Sequence, residues 1–505
     1  MDRVFKDVNV EIPEAIIDDR SRVLNLSGQW YVTFDRVGHA GSVRIEDLPA
    51  WSHAPVPRSL TELFDLPGDW VGTATYGLLF RMTTPLSHSD LHNKAVILNM
   101  AGVYPEAKIF LNGRRVGPYK GGICALRARI EDFLREEENL LLVQFKRGVY
   151  KEIGDFELSL PFGIWGPVWL EIRPKLFIES VDVTADCEGN WESHINLSEP
   201  PLEPLQLAVR LIDPNRRILF RTKLKVEEPF LSFRGPKVRE VYPWSPQYPT
   251  LYTLELVLQG KEADRKVVPF GFRTLQSSPE GFLLNGKLLH IRGVVDEVCF
   301  PKWGRTPPSL SSLRKRLEIV KRLGFNTLVV EDAPADLRLP LLADRMGVLL
   351  WYQLPSVSKF VKRAATFLEK LLEAIQWRDG NSPSLFAVNL FSARPTKNLE
   401  RANKWAEEKI GKYNFYVFAG PCEELSALTP IHFLKEDIAQ AAVRNKAPRI
   451  LWGIKILDPP RRECAIEELG AGKAFQQAVE KVQRERLKQA IDTVSYTHLT
   501  LPTKA

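Results

Sequence analysis

The chain has 505 residues with 69 basic and 62 acidic side chains, so its net charge of +7 is mild for this length. Its 44% hydrophobic content and 12 tryptophans exclude a disordered or fibrous chain, and its length predicts about three domains. No stretch approaches the roughly 20 apolar residues of a membrane span, and no basic stripe is interleaved with aromatic residues as in nucleic-acid-binding surfaces. We therefore expect neither a membrane nor a nucleic-acid partner.

The cysteines indicate a reducing compartment. They are odd in number, lie far apart and include no Cys-x-x-Cys pair; they are Cys124, Cys187, Cys299, Cys422 and Cys464. The first residues lack the apolar run of a secretory signal peptide. These observations predict a cytoplasmic protein with reduced thiols, no metal site and no cofactor.

Residues 20–275 are predicted to be all-β. Short alternating runs at residues 30–34, 76–81 and 140–145 are separated by turn sequences rather than by helices. Asn112-Gly113 suits the two positive-φ positions of a type I′ turn, so we expect a hairpin there. Strands at this spacing favour a sandwich or a jelly roll. Pro174 and the proline-rich segment 199–204 mark a boundary and a loop within this region.

After residue 275, apolar strands alternate with amphipathic helices. Strands are predicted at 288–295, 327–331, 348–354, 385–391, 415–420, 428–433 and 449–455. Helices are predicted from residues 311 and 336 and over 360–376, 398–411 and 471–491. Repeated βα units with nearly continuous apolar strands favour a (β/α)8 barrel. Seven strand candidates leave the last unit of such a barrel missing.

Residues 493–505 differ from all that precedes them, because they are threonine-rich and almost uncharged. Residues 494–500 back-translate to GTC-TCT-TAT-ACA-CAT-CTG-ACG, which looks like read-through of a transposase adapter used to prepare sequencing libraries. We therefore expect this tail to be foreign and the natural protein to continue past residue 492. A natural edge strand is the alternative.

Several motifs resemble glycoside hydrolase family 2, the β-galactosidase and β-glucuronidase family. They lie at residues 26–30, 103–117, 161–169, 242–252, 270–274, 282–287 and 292–294. The resemblance implies a jelly-roll sugar-binding domain over 1–173, an immunoglobulin-like β-sandwich over 174–275 and an incomplete TIM-barrel catalytic-type domain over 276–492. It also implies a carbohydrate ligand and makes a homo-oligomer possible.

The two catalytic glutamates of the family have no counterpart in this chain. A retaining glycosidase needs an acid/base and a nucleophile carboxylate about 5 Å apart. The acid/base motif begins correctly at Asn381, but Ala393 stands where its glutamate belongs. Our alignment of the nucleophile strand places Gly453 at the second glutamate. The resemblance therefore predicts a pseudoenzyme that binds carbohydrate or acts structurally.

Supporting polar residues of the family are also absent, although the residues flanking each motif remain. The flanking residues that remain are Asn326, Pro334, Asp344, Gly347, Pro355 and Pro383. Random substitution would have replaced the flanking residues as often as the polar residues of the site. This pattern favours a fold that is retained without the hydrolytic chemistry.

Four carboxylates should still meet on the catalytic face: Asp296, Glu297, Glu331 and Asp332. One interpretation is a relocated acid/base cluster, which would make the chain an active hydrolase of O-glycosyl bonds using Glu331 or Glu297. The other is a set of structural charges that pair with Arg305 or Arg338.

Three tryptophans, Trp303, Trp351 and Trp452, fall near strand ends, where they would either stack on sugar rings or pack in the core. We treat Trp303 and Trp452 as speculative sugar contacts. A purely structural subunit is a third possibility, and it would fill the mouth of the barrel with Phe, Trp and Leu side chains.

Overall fold

The structure, a computed structural model, describes most of the chain up to residue 418 and one later strand. The described ranges are 23–35, 40–67, 70–82, 93–117, 120–123, 125–147, 161–260, 262–278, 281–296, 298–300, 303–322, 324–355, 359–390, 398–409, 415–418 and 452–455. The predicted strand 428–433, the predicted helix 471–491, Glu297, Ala393 and the tail 493–505 lie outside these ranges. In the described part, no helix is long and apolar enough to cross a membrane.

Two antiparallel sheets make up the first unit, residues 23–174. One sheet has the order Val23–Asn25, Val168–Pro174, Lys94–Met100, Ala125–Arg129 and Lys120–Ile123. The other has the order Ser52–Val56, Gly28–Phe34, Gly72–Phe80, Asn139–Arg147, Ala107–Leu111 and Arg114–Arg115. Val103–Tyr104 pairs with Gly163–Ile164, and a short helix covers Leu60–Leu63. Short 3-10 helices cover Ala40–Ser42, Ile45–Ala50 and Glu131–Phe133. The core of this unit includes the fully buried Trp30, Tyr76 and Phe145.

The predicted Asn-Gly hairpin is present in the first unit. Leu111 pairs with Arg114 across the turn, and Asn112 and Gly113 have φ values of 53° and 82°. Both turn residues therefore occupy the left-handed region that a type I′ turn requires. The hairpin prediction is confirmed.

The second unit, residues 178–270, consists of two further antiparallel sheets. The three-stranded sheet has the order Ile178–Ala185, Trp191–Leu197 and Phe230–Arg234. The four-stranded sheet has the order Ile218–Val226, Leu205–Ile212, Tyr252–Gln259 and Asp264–Phe270. Alternate residues of Trp191–Leu197 are buried, as expected for a strand with one face on a core.

The third unit begins with a small meander and continues as a parallel sheet. Leu275–Ser278, Gly281–Leu284 and Lys287–Leu288 form the meander. The sheet has the order Tyr416–Phe418, Leu385–Asn389, Leu349–Gln353, Thr327–Val330, Arg292–Asp296 and Trp452–Lys455. Its helices are Leu310–Arg322, Arg338–Met346, Lys362–Asp379 and Leu399–Glu407. The predicted alternation of strands and helices is therefore confirmed from Arg292 to Phe418.

The first parallel strand starts later than the sequence predicts. The predicted strand began at residue 288, but Leu288 is exposed and belongs to the meander, while the parallel strand starts at Arg292. Asn285 and Gly286 both have positive φ and turn the chain back on itself just before this point. Apolar periodicity alone could not separate the two segments.

The strand Trp452–Lys455 neighbours the first parallel strand rather than a sixth one. Arg292 pairs with Trp452 and Val295 with Lys455, all in parallel. In a closed eight-stranded barrel the neighbour of the first strand is the last strand, so this position disagrees with our assignment of the segment as the seventh strand. Within the described residues the sheet is not closed between Tyr416–Phe418 and Trp452–Lys455. The complete barrel stays a prediction.

Candidate functional site

Polar side chains collect at the carboxyl ends of the parallel strands. Asp296 ends the first strand, Glu331 and Asp332 follow the second, Gln353 ends the third, and Asn389 ends the fourth. In parallel sheets that are covered by helices, binding and catalytic groups lie at this edge. This edge is therefore the candidate site.

Two residues that flank the family motifs hold the strands in place. The Asn326 side chain donates to the His290 carbonyl and accepts from the Arg292 amide, each at 2.8 Å. The buried Asp344 carboxylate accepts from Ser382 Oγ at 2.6 Å and from the Ser384 amide at 2.9 Å. These contacts fix the start of the first strand and of the fourth strand, so both residues act as scaffold.

Asp296 forms an ion pair with Arg316. Its carboxylate pairs with Arg316 and accepts from the Val298 amide at 2.9 Å. The Arg316 guanidinium lies over the Phe300 ring, 4.6 Å from its centroid, and donates to the Cys299 carbonyl. Asp296 thus anchors the loop that follows its own strand. Its partner is Arg316 on the next helix, and not Arg305 or Arg338 as the sequence suggested.

Asp332 faces Arg305, one of the two arginines that the sequence suggested. Arg305 Nη1 lies 4.0 Å from Asp332 Oδ2, and Arg305 Nη2 donates to the Glu331 carbonyl at 2.7 Å. The Arg305 side chain is only 4% exposed. Arg338 instead pairs with Asp336 at 2.7 Å in a buried contact away from these carboxylates. The Glu331 side chain is partly exposed at the edge.

The tryptophans near strand ends have different environments. Trp351 is fully buried and donates from Nε1 to Asn389 Oδ1 at 3.0 Å, so it is a core residue. Trp303 is half-buried, and the Arg58 guanidinium covers its ring at 4.9 Å from the centroid. The backbone of Trp452 lies in its strand, and its side chain is outside what the structure describes. Trp303 is thus the candidate for contact with a ligand.

Three residues of the first unit reach this edge, although the sequence analysis did not select them. The Glu62 carboxylate lies so close to Gly304 that a Cβ at Gly304 would be 2.5 Å from it. Thr306 Oγ1 donates to the Trp165 carbonyl at 3.2 Å. We call this contact of loop 303–306 with Arg58, Glu62 and Trp165 the seam. No spacing rule links these positions, so only the folded chain shows their proximity.

The register of the last described strand bears on the aligned nucleophile position. Gly453 pairs with Gly293, while Asp296 marks the carboxyl end of the neighbouring strand. Gly453 therefore lies inside its strand, and barrel enzymes carry their catalytic groups at strand ends. The nucleophile assignment rests on sequence alignment and stays a prediction. The acid/base position, Ala393, and the candidate Glu297 lie outside the described residues.

The described residues offer no set of three or more His, Cys, Asp or Glu side chains placed to hold a metal ion. Cys187 and Cys299 are free thiols. The polar groups at the edge are amides, guanidinium groups and carboxylates. Such groups recognise hydroxyl-bearing or ionic ligands through hydrogen bonds.

Comparisons with known proteins agree on one family. The model of "Glycosyl hydrolases family 2" matches residues 172–273. A β-galactosidase from Thermoanaerobacterium thermosulfurigenes is 25% identical over 392 residues, which is 72% of this chain and 53% of that protein. A putative β-glucuronidase from Formosa agariphila is 24% identical over 274 residues, covering 52% of this chain and 33% of that protein.

Solved structures give the same picture for the fold. A β-glucuronidase from Bacteroides uniformis superposes with a TM-score of 0.67 at 18% identity, covering 86% of this chain and 55% of that chain. A family 2 member from Bacteroides cellulosilyticus superposes with a TM-score of 0.66 at 19% identity, covering 85% and 61%. The chain spans about half the length of the curated relative from Thermoanaerobacterium that it matches.

Proposed function

The chain belongs to glycoside hydrolase family 2, and we propose that it binds carbohydrate at the carboxyl edge of its parallel sheet without hydrolysing glycosides by the retaining mechanism. The relatives named above are β-galactosidases and β-glucuronidases, and they supply the ligand class. The proposed absence of glycoside hydrolysis is argued from this chain's own residues.

This proposal rests on the contacts that the strand-end aspartates make with arginine side chains. Asp296 is paired with Arg316, and Asp332 lies opposite the buried Arg305. A double displacement needs one carboxylate free to attack the sugar and a second that can give up a proton. A carboxylate that faces a guanidinium group in a partly buried contact is poorly placed for either task. Ala393, at the aligned acid/base position, has no proton to give.

Binding would use groups that remain accessible at the edge. Trp303 offers the partly exposed part of a ring that Arg58 covers on one face, and Glu331 offers a partly exposed carboxylate. Protein sites of this kind combine apolar surface with a few placed polar groups. The edge therefore keeps the means to hold a sugar after the means to cleave it are lost.

The test is an assay of the chain on 4-nitrophenyl β-galactoside and β-glucuronide, together with calorimetric titration of the corresponding free sugars. We expect measurable sugar binding and no turnover above the uncatalysed rate, since acid/base assistance alone is worth about 10²–10⁴-fold. Turnover that is lost in Glu331→Gln and kept in the exposed control Glu203→Gln would contradict the proposal. That result would favour a hydrolase with relocated carboxylates.

A further inference from the structure

The outermost strand of the second unit's four-stranded sheet carries a row of positive charges. Ile218–Val226 forms one edge of this sheet, and no described strand pairs with its outer side. Its exposed positions alternate along the strand, and Arg221, Lys223 and Lys225 occupy three of them in succession. Alternate residues of a strand lie about 7 Å apart on one face. The three cations therefore form a regular row along a free edge of the sheet.

One end of the row faces a further cation. Arg221 lies directly opposite Arg210 on the neighbouring strand, and like charges in such cross-strand pairs repel each other. Glu255 pairs with Arg210 at 3.1 Å, but it also pairs with Arg265 at 2.7 Å, so two guanidinium groups share one carboxylate. An anion placed beside Arg221 would relieve this repulsion.

The rest of the row is also weakly balanced. Among the described residues, neither Arg221 nor Lys223 forms an ion pair with a carboxylate. Lys225 pairs with Glu227 at 2.6 Å, but both side chains are more than half exposed. Exposed ion pairs contribute little to stability. The row therefore keeps most of its positive charge available to a partner.

The edge is also open for backbone hydrogen bonds. Every other residue of an edge strand points its N–H and C=O groups away from the sheet. The strand has nine residues and no proline, so a second chain can pair along its whole length. It begins with Ile218 and Leu219, which are 52% and 40% exposed and offer apolar contact to such a chain.

The charges decide which chain fits this edge. A second copy of the same strand, paired antiparallel about Lys223, would place Arg221 opposite Lys225, and this repulsion opposes self-association. A strand with Glu or Asp at alternate positions has the same repeat of about 7 Å and places one carboxylate opposite each cation. We propose that Ile218–Val226 accepts an acidic strand of a partner protein as a fifth, antiparallel strand of the sheet, with its carboxylates facing the three cations. This proposal is independent of the carbohydrate site on the third unit.

A fluorescein-labelled peptide of the same nine-residue length, in which glutamate alternates with threonine, tests the proposal by fluorescence anisotropy. We expect saturable binding that weakens as NaCl is added, because salt screens exposed charges. Arg221→Glu and Lys223→Glu should each weaken binding about tenfold, since each places a carboxylate opposite a carboxylate. Lys108→Glu, which changes an exposed strand cation of the first unit, is the matched control and should leave the affinity unchanged. Thermal unfolding checks that each variant is folded.

Further peptides separate strand addition from a general attraction between charges. A peptide of the same composition with contiguous glutamates turns half of them to the opposite face, so it should bind about tenfold more weakly. Two forms of the alternating peptide, N-methylated at one or the other set of alternate residues, should differ in affinity, because only one set of N–H groups points at the edge. Equal affinities for the alternating and contiguous peptides, or for the two N-methylated forms, would overturn the proposal. Absence of peptide binding to the unaltered chain would overturn it as well.

Discussion

At the scale of single residues, Asp344 links burial to a pH dependence of stability. It is fully buried, and burial raises its pKa from 3.8 to about 6, although hydrogen bonds from Ser382 and Ser384 oppose the shift. The folded chain therefore binds a proton more tightly than the unfolded chain does. As the pH rises from about 4 to about 6, this group lowers the free energy of unfolding by on the order of 3 kcal/mol.

The variant Asp344→Asn should remove this contribution, since an amide oxygen still accepts both hydrogen bonds but does not ionise. The stability of the unaltered chain relative to the variant should be greatest near pH 4 and should decline toward pH 7. Thermal unfolding of both proteins across this range measures the difference, with Glu203→Gln as an exposed carboxylate control. Parallel curves for the chain and Asp344→Asn would contradict the raised pKa.

At the scale of elements, Gly347 ends the helix Arg338–Met346 in a conformation that a side chain would disturb. Its φ is 68°, and its amide donates to the Ala343 carbonyl at 2.9 Å. A Cβ there would lie 2.3 Å from the carbonyl oxygen of Pro246, which belongs to the loop after the second unit's three-stranded sheet. The left-handed end and the close backbone approach both require glycine.

Gly347→Ala should therefore destabilise the chain by more than the about 1–2 kcal/mol that left-handed backbone alone costs a non-glycine residue. Gly286→Ala is the matched control, because its φ is 74° and no atom lies within 4 Å of its Cβ. Urea unfolding measures the loss of stability in each variant. Gly347→Ala adds a steric clash to the backbone strain, whereas Gly286→Ala adds the strain alone. Equal losses would show that the loop carrying Pro246 moves away at no cost.

The sequence predicted the regular elements well and the contacts between units poorly. The Asn112-Gly113 turn follows from local conformational preference, and the βα alternation follows from apolar periodicity, so both were available from the chain alone. The ion-pair partner of Asp296 could not be predicted from the sequence, because the packing of the next helix brings Arg316 to it. The roles of Glu62 and Trp165 depend on contacts between residues more than a hundred positions apart.

At the scale of the whole molecule, buried polar contacts join the units. Arg173, at the end of the first unit, forms a buried bidentate pair with Asp264 of the second, with bonds of 2.8 Å to each oxygen. Asp264 also accepts from the Ile178 amide at 2.8 Å. The seam joins the first unit to the third. The Arg173–Asp264 pair is buried and polar, so replacing one partner leaves the other without its hydrogen bonds.

Asn381 connects the third unit to the second through hydrogen bonds. It is also the first residue of the segment aligned with the family's acid/base motif. Its side chain accepts from the Val183 amide at 2.8 Å and donates to the Val181 carbonyl at 2.6 Å, as a neighbouring strand would. Nearby, Gln376 Nε2 donates to Asp182 at 3.4 Å. Asn381 thus has a structural role, since it secures the edge of Ile178–Ala185.

Asn381→Ala should cost about 1–3 kcal/mol, because two backbone groups of the second unit lose their partners. Thermal unfolding followed by calorimetry should also show a broader transition that resolves into two, as the second and third units lose part of their coupling. Gln206→Ala, an exposed amide within the second unit, should leave both stability and cooperativity unchanged. A single sharp transition in Asn381→Ala at the temperature of the unaltered chain would mean that the remaining contacts couple the units without these hydrogen bonds.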